Sequence, residues 1–374
     1  MAPPEPREHR TPRGFSFVAV ALLGLAFAFT PWADQLDNRI LDAQWRTLRK
    51  FDIRPAPPEI VIVGIDERTA QAIAAPPGMW HEALGMALVR LASARPRAIA
   101  LEIGLPERSF DDVRPGLDRA LLVGLAAARE NGPLVASLTI DARTRAARPI
   151  HLPYLALLGE ERLGLGLVAR DGDGVTRRYA LRVPTEDGAF PTLVGRLCRA
   201  LSRDCTEGLL HFALGEPFAY VPLQRLLEIR DTERLARLFR DRIVLLGDTS
   251  RFGGRIPVPV NVAAWEDAVG DMPSAVVHAQ SLRTALQDAA PREASRPLVA
   301  VVLSLAALLA LMKRPLHALI VGVIAAMSFF AGATLLLRTG LFMPLAGALG
   351  TLAIAFLWVS ARSFGSEFEF RRRR

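Results

Sequence analysis

Acidic residues follow two apolar runs of the sequence at the point where each run ends. Asp66 and Glu67 come directly after EIVIVGI, and Asp248 comes directly after RIVLLG. Open α/β sheets bind ligands outside the carboxyl ends of their strands, so these side chains predict a small polar ligand site, shared with Arg251 or Arg255 of the following loop. A second interpretation of Asp66 stays open, because an aspartate at this place also caps the next turn.

The sequence carries no pattern of a catalytic, nucleotide-binding or metal site. The GxSxG elbow, the phosphate-binding glycine loop and HExxH are absent, and His81, His151 and His211 have no partner at metal-ligand spacing. Asp171 and Asp173 begin like a calcium loop, but the later acidic positions are missing, which favours a turn. We therefore expect a protein that is not an enzyme and needs no metal or cofactor.

The elements that must position these residues alternate between strands and helices. Short apolar runs at 59–65, 97–105 and 133–140 are typical of strands buried on both faces, and helical patterns separate them. Beyond residue 141, DGDG at 171–174 predicts an antiparallel hairpin between the runs that flank it. The predicted fold class is α/β, a layered domain with a largely parallel central sheet plus an antiparallel hairpin.

Three helices are predicted in the second half of this domain. The first covers 190–201, the second covers 232–239 with Thr232 as its N-cap, and the third begins with Ser274 as its N-cap.

Four apolar segments predict an all-α transmembrane part, with one helix at the N-terminus and three at the C-terminus. They cover 15–33, 297–312, 316–337 and 341–361, close to the roughly 20 residues that a bilayer-spanning helix needs. A cleaved signal peptide is the alternative for the first segment, but Pro31-Trp32-Ala33 matches a cleavage site poorly. The main domain, 34–296, then lies between the first and second spans.

The positions of the basic residues predict the orientation of the chain. Of the formal net charge of +8, the segment 297–374 carries +6 and the long segment 34–296 only +1. Basic residues stay on the cytoplasmic side, so residues 1–14 and the tail 362–374 are predicted to be cytoplasmic and the main domain periplasmic, in a bacterial inner membrane. The charge count offers no basic patch for nucleic acid. The residues expected to anchor the spans at the lipid surface are Lys313, Arg314, Arg371, Arg372, Arg373 and Arg374.

Two cysteines, Cys198 and Cys205, lie in the predicted periplasmic domain. A disulfide persists outside the cytoplasm, and six intervening residues let it close a helix end onto the next loop. Two free thiols remain the alternative.

The order of these segments resembles the second class of CHASE domain, CHASE2, an extracytoplasmic sensory domain. The resemblance rests on LDNRILDAQWRTLR followed by EIVIVGIDERT, a turn with Gly78 and Trp80, RAIALEIGL, DGDGVTRRYAL, RIVLLGDTS and SAVVHAQSL, which together span about 36–287. It implies a sensor whose ligand-binding residues include Trp80 and His278. A lone histidine is, however, more often a packed structural residue.

The sequence departs from the family pattern at several places. An aspartate expected at the end of the second strand is replaced around Glu102 and Gly104. The loop after Gly247 carries Asp248, Arg251 and Arg255 instead of an arrangement of small residues and aspartate. The resemblance therefore implies that the chemistry of the site is altered or lost.

The resemblance also implies how a signal would leave the protein. Relatives continue into a cytoplasmic output domain, whereas only 13 residues follow Ala361 here. We expect a receptor for a periplasmic ligand or protein that signals through a separate partner, as a homodimer or hetero-oligomer. The alternative is a non-catalytic structural subunit of a larger envelope complex.

Overall fold

The computed structural model describes residues 13–372, except for 74, 142–145, 187 and 267–269. The described helices are α1 (Arg13–Ala28), α2 (Pro31–Phe51), α3 (Glu67–Ala72), α4 (His81–Ser93), α5 (Leu117–Glu130), α6 (Leu152–Leu158), α7 (Leu193–Ala200), α8 (Leu223–Glu228), α9 (Thr232–Phe239), α10 (Ser274–Leu286), α11 (Arg296–Ala307), α12 (Pro315–Arg338) and α13 (Ala346–Arg372). The described strands are β1 (Ile60–Ile65), β2 (Ala98–Glu102), β3 (Leu134–Leu138), β4 (Leu163–Leu165), β5 (Arg178–Tyr179), β6 (Arg182–Thr185), β7 (Gly188–Pro191), β8 (Gly208–Leu209), β9 (Ala219–Pro222), β10 (Ile243–Asp248), β11 (Arg255–Pro257), β12 (Asp271–Pro273), β13 (Arg292–Glu293) and β14 (Leu341–Phe342).

The chain divides into two compact units, one formed by 49–290 and the other by 1–48 with 291–374. The first unit is built on a six-stranded sheet in the order β4-β3-β2-β10-β1-β9. Every pair in this sheet is parallel, as the continuous apolar runs predict. Because all six strands run in the same direction, their carboxyl ends meet at one edge. The predicted α/β class with a largely parallel sheet is confirmed.

Helices α4 and α5 pack closely against one another over one apolar core of this unit. Their contact depends on two glycines, since a Cβ on Gly124 would lie 2.5 Å from the Cα of Gly85. Helix α10 is buried along its whole length from Ala275 to Leu286, and it contacts β10 and β1. The helix can be buried because most of its side chains are small or apolar, and because the larger polar ones, Gln280 and Arg283, donate to backbone carbonyls.

The turn at 171–174 forms, but the prediction that the two flanking strands pair with one another was wrong. Strand β4, before the turn, joins the parallel sheet beside β3, and β5, after the turn, pairs with β8. The buried guanidinium of Arg177 bonds to Asp173 at 2.8 Å and to Asp171 at 3.1 Å, so these acids hold an arginine. An antiparallel hairpin does occur slightly later, between β6 and β7.

Two predicted N-caps differ from the structure by one residue. Asp231, not Thr232, caps α9, because its carboxylate accepts the backbone N–H of Glu233 at 2.9 Å. Pro273 occupies the cap position of α10, and the Ser274 hydroxyl donates to a carboxylate on β2 instead.

In α7, Cys198 forms a disulfide with Cys205, which decides between the two alternatives that the sequence left open.

The second unit contains the apolar helices. Within the described part of the chain, two helices are long and apolar enough to cross a membrane, at 315–338 and 346–365. Helices α1 and α2 are bent by 78° relative to one another and qualify only together, and the apolar helix at 297–311 is shorter. The prediction of four spans therefore stays a prediction. Of the predicted lipid anchors, Arg373 and Arg374 lie outside the described residues, as do the side chains of Arg371 and Arg372.

Small residues allow close packing within this second unit. Gly24 of α1 lies against Thr351 of α13, and Gly347 of α13 lies against Ala28. The carboxylate of Asp37 accepts the backbone N–H groups of Leu345 and Ala346 at 2.6 and 2.7 Å, at the beginning of α13. Such close helix contacts are typical of helices that pack in lipid.

Candidate functional site

A cavity of about 980 Å³ opens at the carboxyl edge of the sheet, beside the ends of β1, β10 and β9. We call it the edge cavity. This is where open α/β sheets place their ligands, and the volume is that of a small-molecule site. Its lining residues are Asp66, Glu67, Arg68, Tyr220, Pro222, Thr249, Arg251, Arg255, Trp265, Glu266 and Asp271.

Asp66 has two roles at the end of β1. One of its carboxylate oxygens accepts the backbone N–H and the hydroxyl of Thr69, both at 2.8 Å, and thereby caps α3. Its other oxygen accepts the hydroxyl of Tyr220 at 3.2 Å inside the edge cavity. The capping interpretation of Asp66 is therefore confirmed, and the same side chain also lines the cavity.

Glu67 connects the loops that follow β1 and β10. Its Oε1 accepts the backbone N–H of Arg251 at 2.7 Å, although 184 residues separate the two in sequence. The side chains of Arg251 and Arg68 are exposed at the cavity wall. The structure thus brings together three of the predicted ligand-binding residues, Asp66, Glu67 and Arg251, and adds Arg68 to them.

Two stacked aromatic rings form another wall of the edge cavity. The rings of Tyr220 and Trp265 lie 4.3 Å apart at 22°. The Tyr220 hydroxyl also lies 3.1 Å from Thr249 Oγ1, and burial raises the pKa of Tyr220, so the phenol stays protonated. Sequence analysis did not single out either ring, since neither belongs to a motif and the two lie 45 positions apart.

Arg255 is held by two carboxylates in the cavity wall. Its Nη2 lies 2.8 Å from Glu266 and 2.7 Å from Asp271. The hydrogen bonds to Glu266 are the main reason why the pKa of Arg255 is raised. The sequence predicted that Asp248 shares the site with Arg251 or Arg255, but the carboxylates that bind Arg255 are these two, which sequence analysis did not identify.

Asp248 and Trp80 lie outside the lining of the edge cavity. Asp248 Oδ1 accepts the backbone N–H of Ser250 at 2.8 Å, so this carboxylate shapes the loop after β10. Trp80 is buried in the core beside α4, and its indole donates to the carbonyl of Ala75 at 2.6 Å. A role in ligand binding stays a prediction for both.

His278 belongs to a second group of polar residues, which we call the buried cluster: Glu102, Ser274 and His278. The Ser274 hydroxyl donates to Glu102 Oε1 at 2.6 Å, and His278 Nε2 lies 3.8 Å from the same oxygen. Burial raises the pKa of Glu102 to about 8, although the bond from Ser274 opposes this, and the charge of Asp248 adds to it. Burial lowers the pKa of His278 to about 4. Both groups are therefore uncharged near pH 7.

The comparisons with known proteins agree with the architecture of this domain. The family model of the CHASE2 domain matches residues 17–326. Searches of curated proteins and of solved structures gave no match. Because the matched segment covers most of the 374 residues, the chain belongs to the CHASE2 family of extracytoplasmic sensor domains.

Proposed function

We propose that this protein is a membrane-anchored receptor whose α/β unit binds a ligand in the edge cavity and passes the signal to a separate protein. One observation supports this most strongly: a cavity of about 980 Å³, lined by charged and aromatic side chains, lies at the carboxyl ends of parallel strands. Membership of a sensor family and helices suited to a membrane are consistent with this role.

The chain connects the wall of the cavity directly to a buried helix. Asp271, which binds Arg255, begins β12, and α10 follows that strand without a loop. A ligand that binds one arrangement of Arg255 and Asp271 more tightly than another would shift the population of α10 positions. The chain then continues from α10 toward the apolar helices that begin at Arg296.

The proposal places the α/β unit in the periplasm and both ends of the chain in the cytoplasm of a bacterial cell. It assigns no catalytic activity, cofactor or nucleic acid to the protein. The output would come from a partner bound by the helices, with the protein acting as a homodimer or within a hetero-oligomer.

The first experiment tests the edge cavity in cells. The double variant Tyr220→Ala/Trp265→Ala removes both aromatic walls, and Arg234→Ala on the exposed face of α9 serves as its control. We expect the double variant to reproduce the gene-expression changes of a deletion strain and the control to behave as the wild type. The purified double variant should melt at a lower temperature because it loses the stacked rings, so signalling is measured at a temperature at which it is still folded. A folded double variant that matches the wild type contradicts the receptor and favours the structural subunit.

The second experiment tests the orientation. Alkaline phosphatase is active only in the periplasm, so a fusion at Asp231 should be active and a fusion after Arg374 inactive. Activity of the fusion after Arg374 contradicts the proposed topology.

A further inference from the structure

Two arginines in the wall of the edge cavity have no partner for their charge among the described residues. Arg68 and Arg251 both carry exposed guanidinium groups, whereas Arg255 in the same wall is held by two carboxylates. A guanidinium presents a planar set of donors that matches a carboxylate in shape. These two arginines therefore provide unused binding capacity for an acidic group.

Two carboxylates in the same wall retain an oxygen to which no described residue donates. Glu67 uses Oε1 for the backbone of Arg251, and Asp271 uses Oδ1 for both of its bonds from Arg255. Glu67 Oε2 and Asp271 Oδ2 are left to accept from a ligand. A bound ammonium group would satisfy either oxygen through a charge-assisted hydrogen bond.

The charges of the lining disfavour a ligand of a single sign. The lining contains three arginines and four acidic residues, so its formal charge is −1. A simple anion is repelled by the net negative charge of the lining, and a simple cation is repelled by the two unpaired arginines. A molecule that carries both signs satisfies both sets of groups.

The aromatic wall gives such a molecule a further contact. The Trp265 ring stacks on Tyr220 in the wall of the cavity. An ammonium group over an aromatic face is favoured by the charge distribution of the ring. A volume of about 980 Å³ gives room for more than one amino-acid residue.

We propose that the edge cavity binds a small zwitterion, an amino acid or short peptide, with its carboxylate on Arg68 and Arg251 and its ammonium on Glu67 and Asp271. This inference rests on the proposed function, since it names the ligand class of the same receptor site. Both charged ends of the ligand are required, and a molecule that lacks either end binds poorly.

The test uses the full chain in detergent micelles and measures binding by thermal shift and calorimetry. The probes are the twenty standard L-amino acids and trialanine, each with its N-acetylated form and its C-terminal amide. We expect at least one zwitterion to raise the melting temperature. Because each lost charge-assisted contact costs roughly tenfold in affinity, both blocked forms of that probe should bind at least about tenfold more weakly.

Matched variants assign the two ends. The double variant Arg68→Gln/Arg251→Gln should weaken binding of the zwitterion by roughly tenfold or more and leave binding of its amide almost unchanged. Glu67→Gln retains the acceptor for the backbone of Arg251 and should weaken the zwitterion but not its N-acetylated form. Arg234→Gln is the control and should bind every probe as the wild type does.

The outcomes separate this inference from the proposed function. The absence of binding by every zwitterion at 10 mM, roughly ten thousand times a micromolar dissociation constant, overturns the ligand class. Equal binding of a probe and its N-acetylated form overturns it as well. The receptor proposal survives either result if the double aromatic variant still loses signalling in cells. It fails if that folded variant signals normally.

Discussion

Two strands on either side of β10 end in acidic residues that have opposite surroundings. At the end of β1, Asp66 and Glu67 line an open cavity and are bonded to hydroxyl and backbone donors. At the end of β2, Glu102 lies below α10 with its side chain 8% exposed. Strand β10 lies between them and pairs with both.

The difference shows that coverage by a helix, not the type of residue, decides the state of these acids. In the edge cavity, the carboxylates have water and arginines within reach, as in the contacts of Arg255. In the buried cluster, Glu102 has the hydroxyl of Ser274 and a neutral His278 beside it, and burial together with the charge of Asp248 favours its protonated form. The open end, at β1, is therefore suited to a charged ligand. At the covered end, at β2, the protonation of Glu102 is coupled to the packing of α10.

The largest expected effect comes from removing the shared cation of the edge cavity. Arg255→Met leaves Glu266 and Asp271 unpaired, and we expect the free energy of unfolding to fall by about 3 kcal/mol, less than for a fully buried pair because Asp271 is 44% exposed. Denaturant unfolding of the full chain in micelles measures this. Arg234→Met should stay within about 0.5 kcal/mol of the wild type. A loss below about 1 kcal/mol for Arg255→Met would show that the cavity does not depend on its paired charges.

Two glycines at paired positions of β1 and β10 allow the open and the covered surroundings to be compared directly. Gly64 and Gly247 are partners in the sheet. A Cβ on Gly247 would lie 2.5 Å from Glu102 Oε2 and 2.8 Å from the Cβ of Ala275, under α10, whereas a Cβ on Gly64 would meet Tyr220 and Thr249.

We expect Gly247→Ala to lower the free energy of unfolding by about 2–3 kcal/mol and Gly64→Ala by about 1 kcal/mol, because Tyr220 has an open cavity into which it can shift. The same denaturation experiment measures both. Equal losses would mean that the helix above Glu102 yields as easily as the cavity wall.

Above pH 6.5, the pH dependence of stability should come from the covered end. The pKa of Glu102 is raised to about 8, so the folded state holds one proton more than the unfolded state between pH 4.5 and 8, and stability falls as pH rises. The pKa of His278 is lowered to about 4, so its contribution rises between pH 4 and 6.5 and cancels that of Glu102 there. Above pH 6.5 only the fall remains, about 1.4 kcal/mol per pH unit and about 2 kcal/mol in total by pH 8.

Glu102→Gln should abolish this fall, since the amide does not titrate. Unfolding of the full chain at pH 6.5, 7.25 and 8 measures the slope, and Glu130→Gln on the exposed end of α5 is the control. An unchanged slope in Glu102→Gln would mean that Glu102 is charged in the folded protein.

The smallest effect is expected at the hydroxyl of Tyr220. Tyr220→Phe removes the hydrogen bonds to Asp66 and Thr249 but retains the stacked ring, and we expect a loss of about 1 kcal/mol because water can reach the groups left behind. Tyr220→Leu should lose more, since it also removes the stacking on Trp265. A loss well above 1 kcal/mol for Tyr220→Phe would place the end of β1 in the same dry surroundings as Glu102.

Much of the fold was predictable because its signals are local. Continuous apolar runs identified β1, β2, β3 and β10, and their parallel pairing followed from the helices between them. The hairpin at 171–174 failed for the opposite reason, because the turn chemistry was local but the partners of β4 and β5 were distant.

The candidate site was predictable only in part. Residues at strand ends, such as Asp66 and Arg251, could be found from their position after an apolar run. Tyr220 enters the cavity from the edge strand β9, and Trp265 and Asp271 lie in segments without a strong pattern, so no sequence signal pointed to them. Trp80 is the opposite case. The resemblance implied that it binds a ligand, but its side chain lies in the core.

The sequence by itself determined which segments are apolar, which are strands and where acidic residues follow them, because each of these depends on neighbours along the chain. Only the tertiary structure decided that Asp66 borders a cavity and that Glu102 is buried beneath Ser274, 172 residues away. The physical reason is that the charge of a carboxyl group depends on the water and the partners around it, and these are supplied by distant parts of the chain.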